Sequence, residues 1–274
     1  MPAVKKTLTV SQLKRAQIEE LLAQSKRLDG RDLLQHRPLN IELGIIEKAS
    51  GSARVTLGDT QVIAGVKVET GKPYPDSPDK ALLIVTADIL PASSPFVEPG
   101  PPSEDSIELA RVSDRGVRES GMIDVSKLVI QEGELVYTVF MDVAVINEAG
   151  GLFDAASYAI VTALSLAKMS KFKIKNDKVE MLEDTAPLPI TTLPIATTFA
   201  KIGGKIILDP TSEEEAIMDA RLTLVTDSNG NFVAGQKGRP GLFTIEEMTA
   251  LAVTAKEKGA EIRKEIMDAT GIGT

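Results

Sequence analysis

Cysteine is absent from this chain, and histidine occurs once, at position 36. Without cysteine there is no disulfide, no thiolate nucleophile and no sulfur-built zinc site. One histidine cannot assemble a multi-histidine metal centre, and it leaves a Ser-His nucleophile scheme no base except His36 itself. A surface histidine in a polar loop is the plainer reading. No apolar run is long enough to span a bilayer. No apolar signal core follows Met1-Pro2-Ala3-Val4-Lys5-Lys6. These features predict a soluble, cytoplasmic protein that does not engage a membrane. Positive charge is not in excess either, since the net charge is −8. A nucleic-acid binder that works alone usually presents a basic surface, because neutralised phosphates supply much of its affinity. If this chain binds RNA, a local cluster must do it, together with a more basic partner.

What is present is ordinary for a globular protein. Apolar residues make up 43% of the 274 and charged residues 26%. The length suits about two folding units, or one large α/β domain. A first helix is expected over about 11–24, with Leu13, Ile18, Leu21 and Leu22 as its apolar stripe. Arg27-Leu28-Asp29-Gly30-Arg31 reads as a charged turn. Short β runs follow from Leu39 to Glu69, with Gln61–Val66 as a buried strand. Gly71–Asp79 holds three prolines and reads as loop, before a strand at Leu82–Val85. Five prolines from Pro91 to Pro102 break regular structure. Ser103, with Glu104 and Asp105 behind it, caps a helix to about Glu119. Leu135–Ile146 reads as one long strand. Asp154 is expected to cap a helix to about Met169, apolar on most sides and therefore interior. Later strands are expected near Ile190–Phe199, Lys205–Leu208, Met218–Thr226 and Phe232–Gln236, with a hairpin turn at Ser228-Asn229-Gly230-Asn231. Thr244 and Glu247 form a capping box for a last helix, about 244–268. Its apolar face is Ile245, Met248, Leu251, Ala255, Ile262 and Ile266. Strands and helices alternate in two similar halves without a separating linker. That pattern predicts one compact α/β (α+β) domain over 1–274.

Three constellations could carry chemistry. Arg111, Arg115 and Arg118 stand at i, i+4 and i+7, on one helical face. Three guanidiniums there could clamp a phosphate backbone. They could equally form a solvated face, neutralised by Asp114 and by Glu108 or Glu119. Asp209-Pro210-Thr211-Ser212-Glu213-Glu214-Glu215, followed by Asp219, could hold Mg²⁺ or supply a general acid. A charged loop between strands is the better reading there. Gly150-Gly151-Leu152-Phe153-Asp154 opens the interior helix, and a helix N-terminus after glycines is a ready anion site. Leu152 and Phe153 bring neither donor nor cation, so packing accounts for that helix start.

Taken in order, these blocks resemble the RNase PH family along nearly the whole chain. Arg27-Leu28-Asp29-Gly30-Arg31 resembles its opening Arg-x-Asp-Gly-Arg. Gly51-Ser52-Ala53-Arg54-Val55-Thr56-Leu57-Gly58-Asp59-Thr60-Gln61-Val62 resembles its first long hairpin. Arg111-Val112-Ser113-Asp114-Arg115-Gly116-Val117-Arg118 resembles its arginine helix. Gly151-Leu152-Phe153-Asp154-Ala155-Ala156 and Leu208–Glu215 resemble two later blocks. Each match is weak alone, and five in the right order are specific.

The resemblance implies the RNase PH fold and a phosphorolytic 3′-to-5′ exoribonuclease setting, in which phosphate attacks the last phosphodiester and releases a nucleoside diphosphate. It also implies two needs of the active members: a Gly-Gly-Thr-Arg phosphate site opening the inner helix, and two Asp residues six positions apart in the later acidic block. Here Leu152 and Phe153 stand in the first place. Glu215 and Arg221 stand in the second, with Asp219 the nearest other carboxylate. Arginine stays protonated in proteins and cannot act as a proton-shuttling acid. No catalytic or metal-binding residue is therefore expected, while Arg111 and Arg115, with Arg118 on the same face, are expected to hold RNA.

Within the family the chain looks most like the inactive RNase PH-like subunit of the archaeal exosome. That likeness implies a heterodimer with a catalytic RNase PH-like subunit and a six-membered ring built as a trimer of dimers. It also implies S1- or KH-domain cap proteins and single-stranded RNA as partners. Inorganic phosphate, with Mg²⁺ as a second candidate, belongs to the partner's site, so no cofactor is expected in this chain. The competing readings are a self-sufficient phosphorolytic exoribonuclease using Glu215 and Asp219, and a scaffold that shares the fold without touching RNA.

Overall fold

A computed structural model of the chain describes residues 12–94, 97–175 and 178–272. Ser11 and Pro95, which entered the expectations above, lie outside them, as does the N-terminal segment through Lys6. After helix α1 (Gln12–Ala23) come strands β1 (Leu39–Leu43), β2 (Gly51–Leu57), β3 (Thr60–Gly71) and β4 (Leu82–Ile89). Helix α2 (Glu104–Glu119), the short β5 (Val129–Gln131), the long β6 (Leu135–Asn147) and helix α3 (Leu152–Leu166) complete the first half. A hairpin of β7 (Lys168–Lys175) and β8 (Lys178–Pro187) connects to the second half. There β9 (Ile195–Ile202), β10 (Lys205–Leu208), helix α4 (Ser212–Ile217), β11 (Ala220–Thr226), β12 (Phe232–Gly238) and helix α5 (Ile245–Thr270) follow.

The first sheet runs β1-β2-β3-β6-β4, with β5 beside β6. Its pairs are antiparallel except β4 with β6, because the chain crosses over through α2 between them. The second sheet, β10-β9-β11-β12, is antiparallel throughout. Helix α3 packs on β2 and β3 of the first sheet and on β9 of the second. An apolar surface around the whole helix is what that position requires. Its remaining polar groups are satisfied internally: the Tyr158 hydroxyl donates to the Ala196 carbonyl at 3.2 Å and Thr162 to the Tyr158 carbonyl at 2.7 Å. One continuous apolar core joins the first sheet, α2 and α3 to Leu193 and Ile195, and to Ile262 and Ile266 of α5. A second cluster seats Ile18 and Leu22 of α1 on Ala200, Ile202, Ile207 and Ile217.

Several local expectations hold and several do not. Ser103 caps α2 by accepting from the Ser106 N–H, and the Thr244–Glu247 capping box opens α5. Gln61–Val66 lies in β3, but only alternate residues are buried, as one face of a sheet dictates. Asp154 does not cap α3. Gly151 does so by backbone alone, and Asp154 sits fully buried within the first turn. The helix also stops at Leu166, so Met169 belongs to β7. The strand expected from Ile190 starts at Ile195, just after Pro194. Glutamates expected in a loop form α4, whose Thr211 and Glu214 make a capping box. Leu13 is 84% exposed, and Ile245 and Met248 are also exposed, so the apolar faces of α1 and α5 are narrower than their sequences suggest.

Candidate nucleic-acid interface

The three α2 arginines share a face but do different things. Arg118 donates to both carboxylate oxygens of Asp114, at 2.7 and 3.1 Å, and to the Leu83 carbonyl at 2.9 Å. It is held locally, as an i,i+4 ion pair on the helix surface. Arg115 reaches the second sheet, donating to Gln236 Oε1 of β12 at 2.5 Å. Arg111 is exposed and makes no side-chain hydrogen bond among the described residues. Glu108, one turn earlier, is not its counter-ion. Instead, Glu108 accepts from Arg221 at 2.5 Å and from Gln236 Nε2 at 3.2 Å.

The N-terminus of α3 lies at the other end of this network. Gly150 and Gly151 take left-handed φ values of 87° and 66°, a conformation that costs a side-chain-bearing residue. The Gly151 N–H donates to Glu215 Oε1 at 2.9 Å. A carboxylate of this chain thus occupies the anion-accepting end of the helix. Burial pushes the Glu215 pKa up to about 7; the Gly151 N–H, Arg221 and Arg37 pull against that, and Glu148 adds to it. Burial raises Glu148 as well. Leu152 and Phe153 are buried, and the Arg221 guanidinium lies over the Phe153 ring, 4.1 Å from its centre. Arg115, Gln236, Glu108, Arg221 and Phe153 therefore form one connected chain of contacts.

Asp219 does not join Glu215. Its carboxylate accepts from the Gly203 N–H at 2.9 Å, in the turn between β9 and β10. The acidic block is consumed elsewhere too. Asp209, fully buried, accepts from the Arg37 guanidinium at 2.6 and 2.9 Å and from Arg31 at 3.0 Å. Arg27, its side chain sealed from solvent, grips Glu214 at 2.5 and 3.0 Å and the carbonyls of Leu208 and Asp209. The motif Arg27–Arg31 and the acidic block are thus the two halves of a buried ionic lock. Sequence inspection flagged both and had no signal that they meet, 178 residues apart in the Arg31–Asp209 pair. Among the described residues no group of three His, Asp or Glu side chains is arranged to hold a metal ion.

Two titratable groups sit otherwise than their sequence context suggests. His36 is not a surface residue of a polar loop: its ring meets Tyr158 edge-on, centres 6.5 Å apart, and neither ring nitrogen has a partner. Burial pulls its pKa down to about 4. Asp154 turns to β9, accepting from the Thr198 N–H and hydroxyl at 3.0 and 2.6 Å. Burial raises it to about 8.

Comparison with known proteins agrees with this architecture. Residues 35–170 match the first domain of the 3′ exoribonuclease (RNase PH) family and residues 192–258 its second. The chain is 46% identical to the exosome complex component Rrp42 of Thermococcus kodakarensis, over 96% of this chain and 97% of that one. It is 43% identical to the Rrp42 of Methanopyrus kandleri, over 94% and 97%. Among solved structures it is similar to a chain of the Archaeoglobus fulgidus exosome with RNA bound to the active site, at 41% identity and TM-score 0.86, covering 92% and 97%. An archaeal exosome core chain matches at 38% identity and TM-score 0.82, covering 93% and 96%. The chain belongs to the RNase PH family.

Proposed function

We propose that this chain is a non-catalytic, RNA-gripping subunit of an exosome core, a ring-shaped phosphorolytic 3′-to-5′ exoribonuclease. One observation carries the non-catalytic part. Where the inner helix begins, Glu215 already sits on the Gly151 N–H, and Arg221 is stacked on Phe153 and bonded to Glu108. An incoming phosphate would meet a carboxylate and an aromatic ring, and burying a charge so poorly matched costs several kcal/mol. The proton-transfer position holds Arg221, which does not release its proton. Asp219, which the self-sufficient-enzyme reading needs, is bonded to a distant turn.

The RNA grip rests on Arg111 and Arg115. Among the described residues Arg111 is unpaired and Arg115 is anchored to a neutral amide, so both charges are available to a phosphate backbone. Arg118 contributes less on this reading, because Asp114 neutralises it. The partner is a catalytic RNase PH-like subunit, alternating with this chain as a trimer of heterodimers under S1- or KH-domain caps. Inorganic phosphate, with any Mg²⁺, acts in that partner's site. The ring setting is supported by the Rrp42 relatives and the two archaeal exosome structures, and the RNA by the bound RNA in one of them.

The test is nucleoside diphosphate release from poly(A) in phosphate buffer. The isolated chain should release none, and adding the catalytic partner should produce activity that depends on this chain. Robust phosphorolysis by the isolated chain would refute the proposal.

A further inference from the structure

Among the described residues, three non-glycine positions hold a left-handed backbone: Ser25, Asp209 and Arg239, the last at φ 64°. The first two are explained by their bonds. Ser25 closes α1, with its N–H and that of Lys26 on the carbonyls of Leu22 and Leu21. Asp209 is turned so that its carboxylate receives Arg31 and Arg37. Arg239 has no comparable reward among the described residues. Its side chain is exposed, and among the described residues its one hydrogen bond is to the Glu215 carbonyl, at 3.3 Å.

The turn that holds it is pinned on both sides. Before it, Gly238 lies against Arg221, where a Cβ would stand 2.9 Å from Nη2. After it, the Gly241 N–H donates to the Asp219 carbonyl at 2.8 Å, and a Cβ there would stand 2.5 Å from that oxygen. Lys237 adds a second cation, its ammonium donating to the Arg239 carbonyl. A strained residue kept rigid with its charge directed to solvent is a pattern found at binding sites.

The turn also extends the arginine row of α2. Gln236, which accepts from Arg115, and Gly238 lie two residues apart on β12, on one face and about 7 Å apart. Arg239 follows directly. Arg111, Arg239 and Lys237 have no carboxylate within ion-pair distance among the described residues. The nearby carboxylate of Glu108 is bound to Arg221. In a chain of net charge −8, cations left without counter-ions, Lys237 and Arg239 among them, point to an anionic partner.

We propose that Arg239, with Lys237 beside it, is a further RNA-phosphate contact that carries the Arg111–Arg115 grip past the end of β12. The inference rests on the RNA-gripping reading, and the test separates the two. The assembled complex is titrated with a fluorescein-labelled oligo(A) RNA at several salt concentrations, using Arg239→Ala, Arg239→Gly, Arg239→Lys and Arg115→Ala variants. Arg239→Ala and Arg239→Gly should weaken binding about three- to tenfold at low salt. They should also reduce the salt slope by about 0.7, the value for one contact on a single strand. Arg239→Lys should retain most of both. Arg239→Gly relieves the backbone strain, so it should melt at or above the wild-type temperature while still losing RNA. A merely structural role would move the melt and leave the salt slope alone. Unchanged affinity and slope in Arg239→Ala, with Arg115→Ala impaired, overturns this inference only. If Arg115→Ala is also without effect, the RNA-gripping reading falls with it.

Discussion

Replacing Glu214 with leucine should unlock the two halves of the molecule. Glu214 is buried, and so is Arg27, whose side chain is 0% exposed and donates to both carboxylate oxygens. In the variant, Arg27 would keep its bonds to the carbonyls of Leu208 and Asp209. Among the described residues the other carboxylates of the lock are already committed, Asp209 to Arg31 and Arg37 and Asp29 to Arg31. A guanidinium would then be buried without its counter-ion, a change that costs about 3–5 kcal/mol. Glu214 also accepts from the Thr211 N–H at 2.8 Å, closing the α4 capping box. Losing that adds about 1 kcal/mol. For a chain of this size the melting temperature should fall by roughly 10 °C. Urea unfolding followed by circular dichroism provides the free energy. The double variant Arg27→Met/Glu214→Leu should recover a large part of the loss, because both charges leave together. If Glu214→Leu costs less than about 1 kcal/mol, as an exposed pair does, or if the two substitutions simply add, the lock does not exist as described.

Two further outcomes follow from the start of α3. Burial raises the pKa of Glu215 to about 7, so the folded protein holds a proton there that the unfolded chain releases near 4.5. That contribution is complete below about pH 4.5 and is lost as pH rises through 7. Glu215→Gln should therefore flatten the fall in stability between those values, measured as unfolding free energy against pH; an unchanged curve counts against a buried Glu215. Gly150→Ala should destabilise by about 2–5 kcal/mol, since it combines a positive φ of 87° with a Cβ 2.5 Å from backbone atoms of Pro210, Thr211 and Ser212. A near-neutral melt would show that the α3–α4 contact is looser than drawn.

Much of this was legible in the amino-acid order because it depends on near neighbours. The Ser103 cap, the Thr244–Glu247 box and the Ser228–Asn231 turn are closed by residues within four positions of one another. The all-round apolarity of Leu152–Leu166 announced an interior helix, since no other environment accepts it. The shared face of Arg111, Arg115 and Arg118 follows from helical geometry alone. The β7–β8 hairpin was not legible. Lys171-Phe172-Lys173-Ile174-Lys175 and Lys178-Val179-Glu180-Met181 do alternate as half-exposed strands do, but among the described residues the two strands pair only with each other, apart from both main sheets, so their partner is set by tertiary structure. The α4 glutamates were misread because consecutive like charges resemble a solvated loop until Arg27 is known to face Glu214.

Sequence by itself determined the family, the alternation of strands and helices, and the non-acidic residue at position 221, because these reside in residue identity and local period. Only the tertiary structure decided which charges are free. It paired Arg118 with Asp114, buried Asp209 and Glu214 against three arginines, and seated Glu215 on Gly151. The physical reason is that a charge's meaning depends on its counter-ion and its exposure, and both are set by segments far apart along the chain.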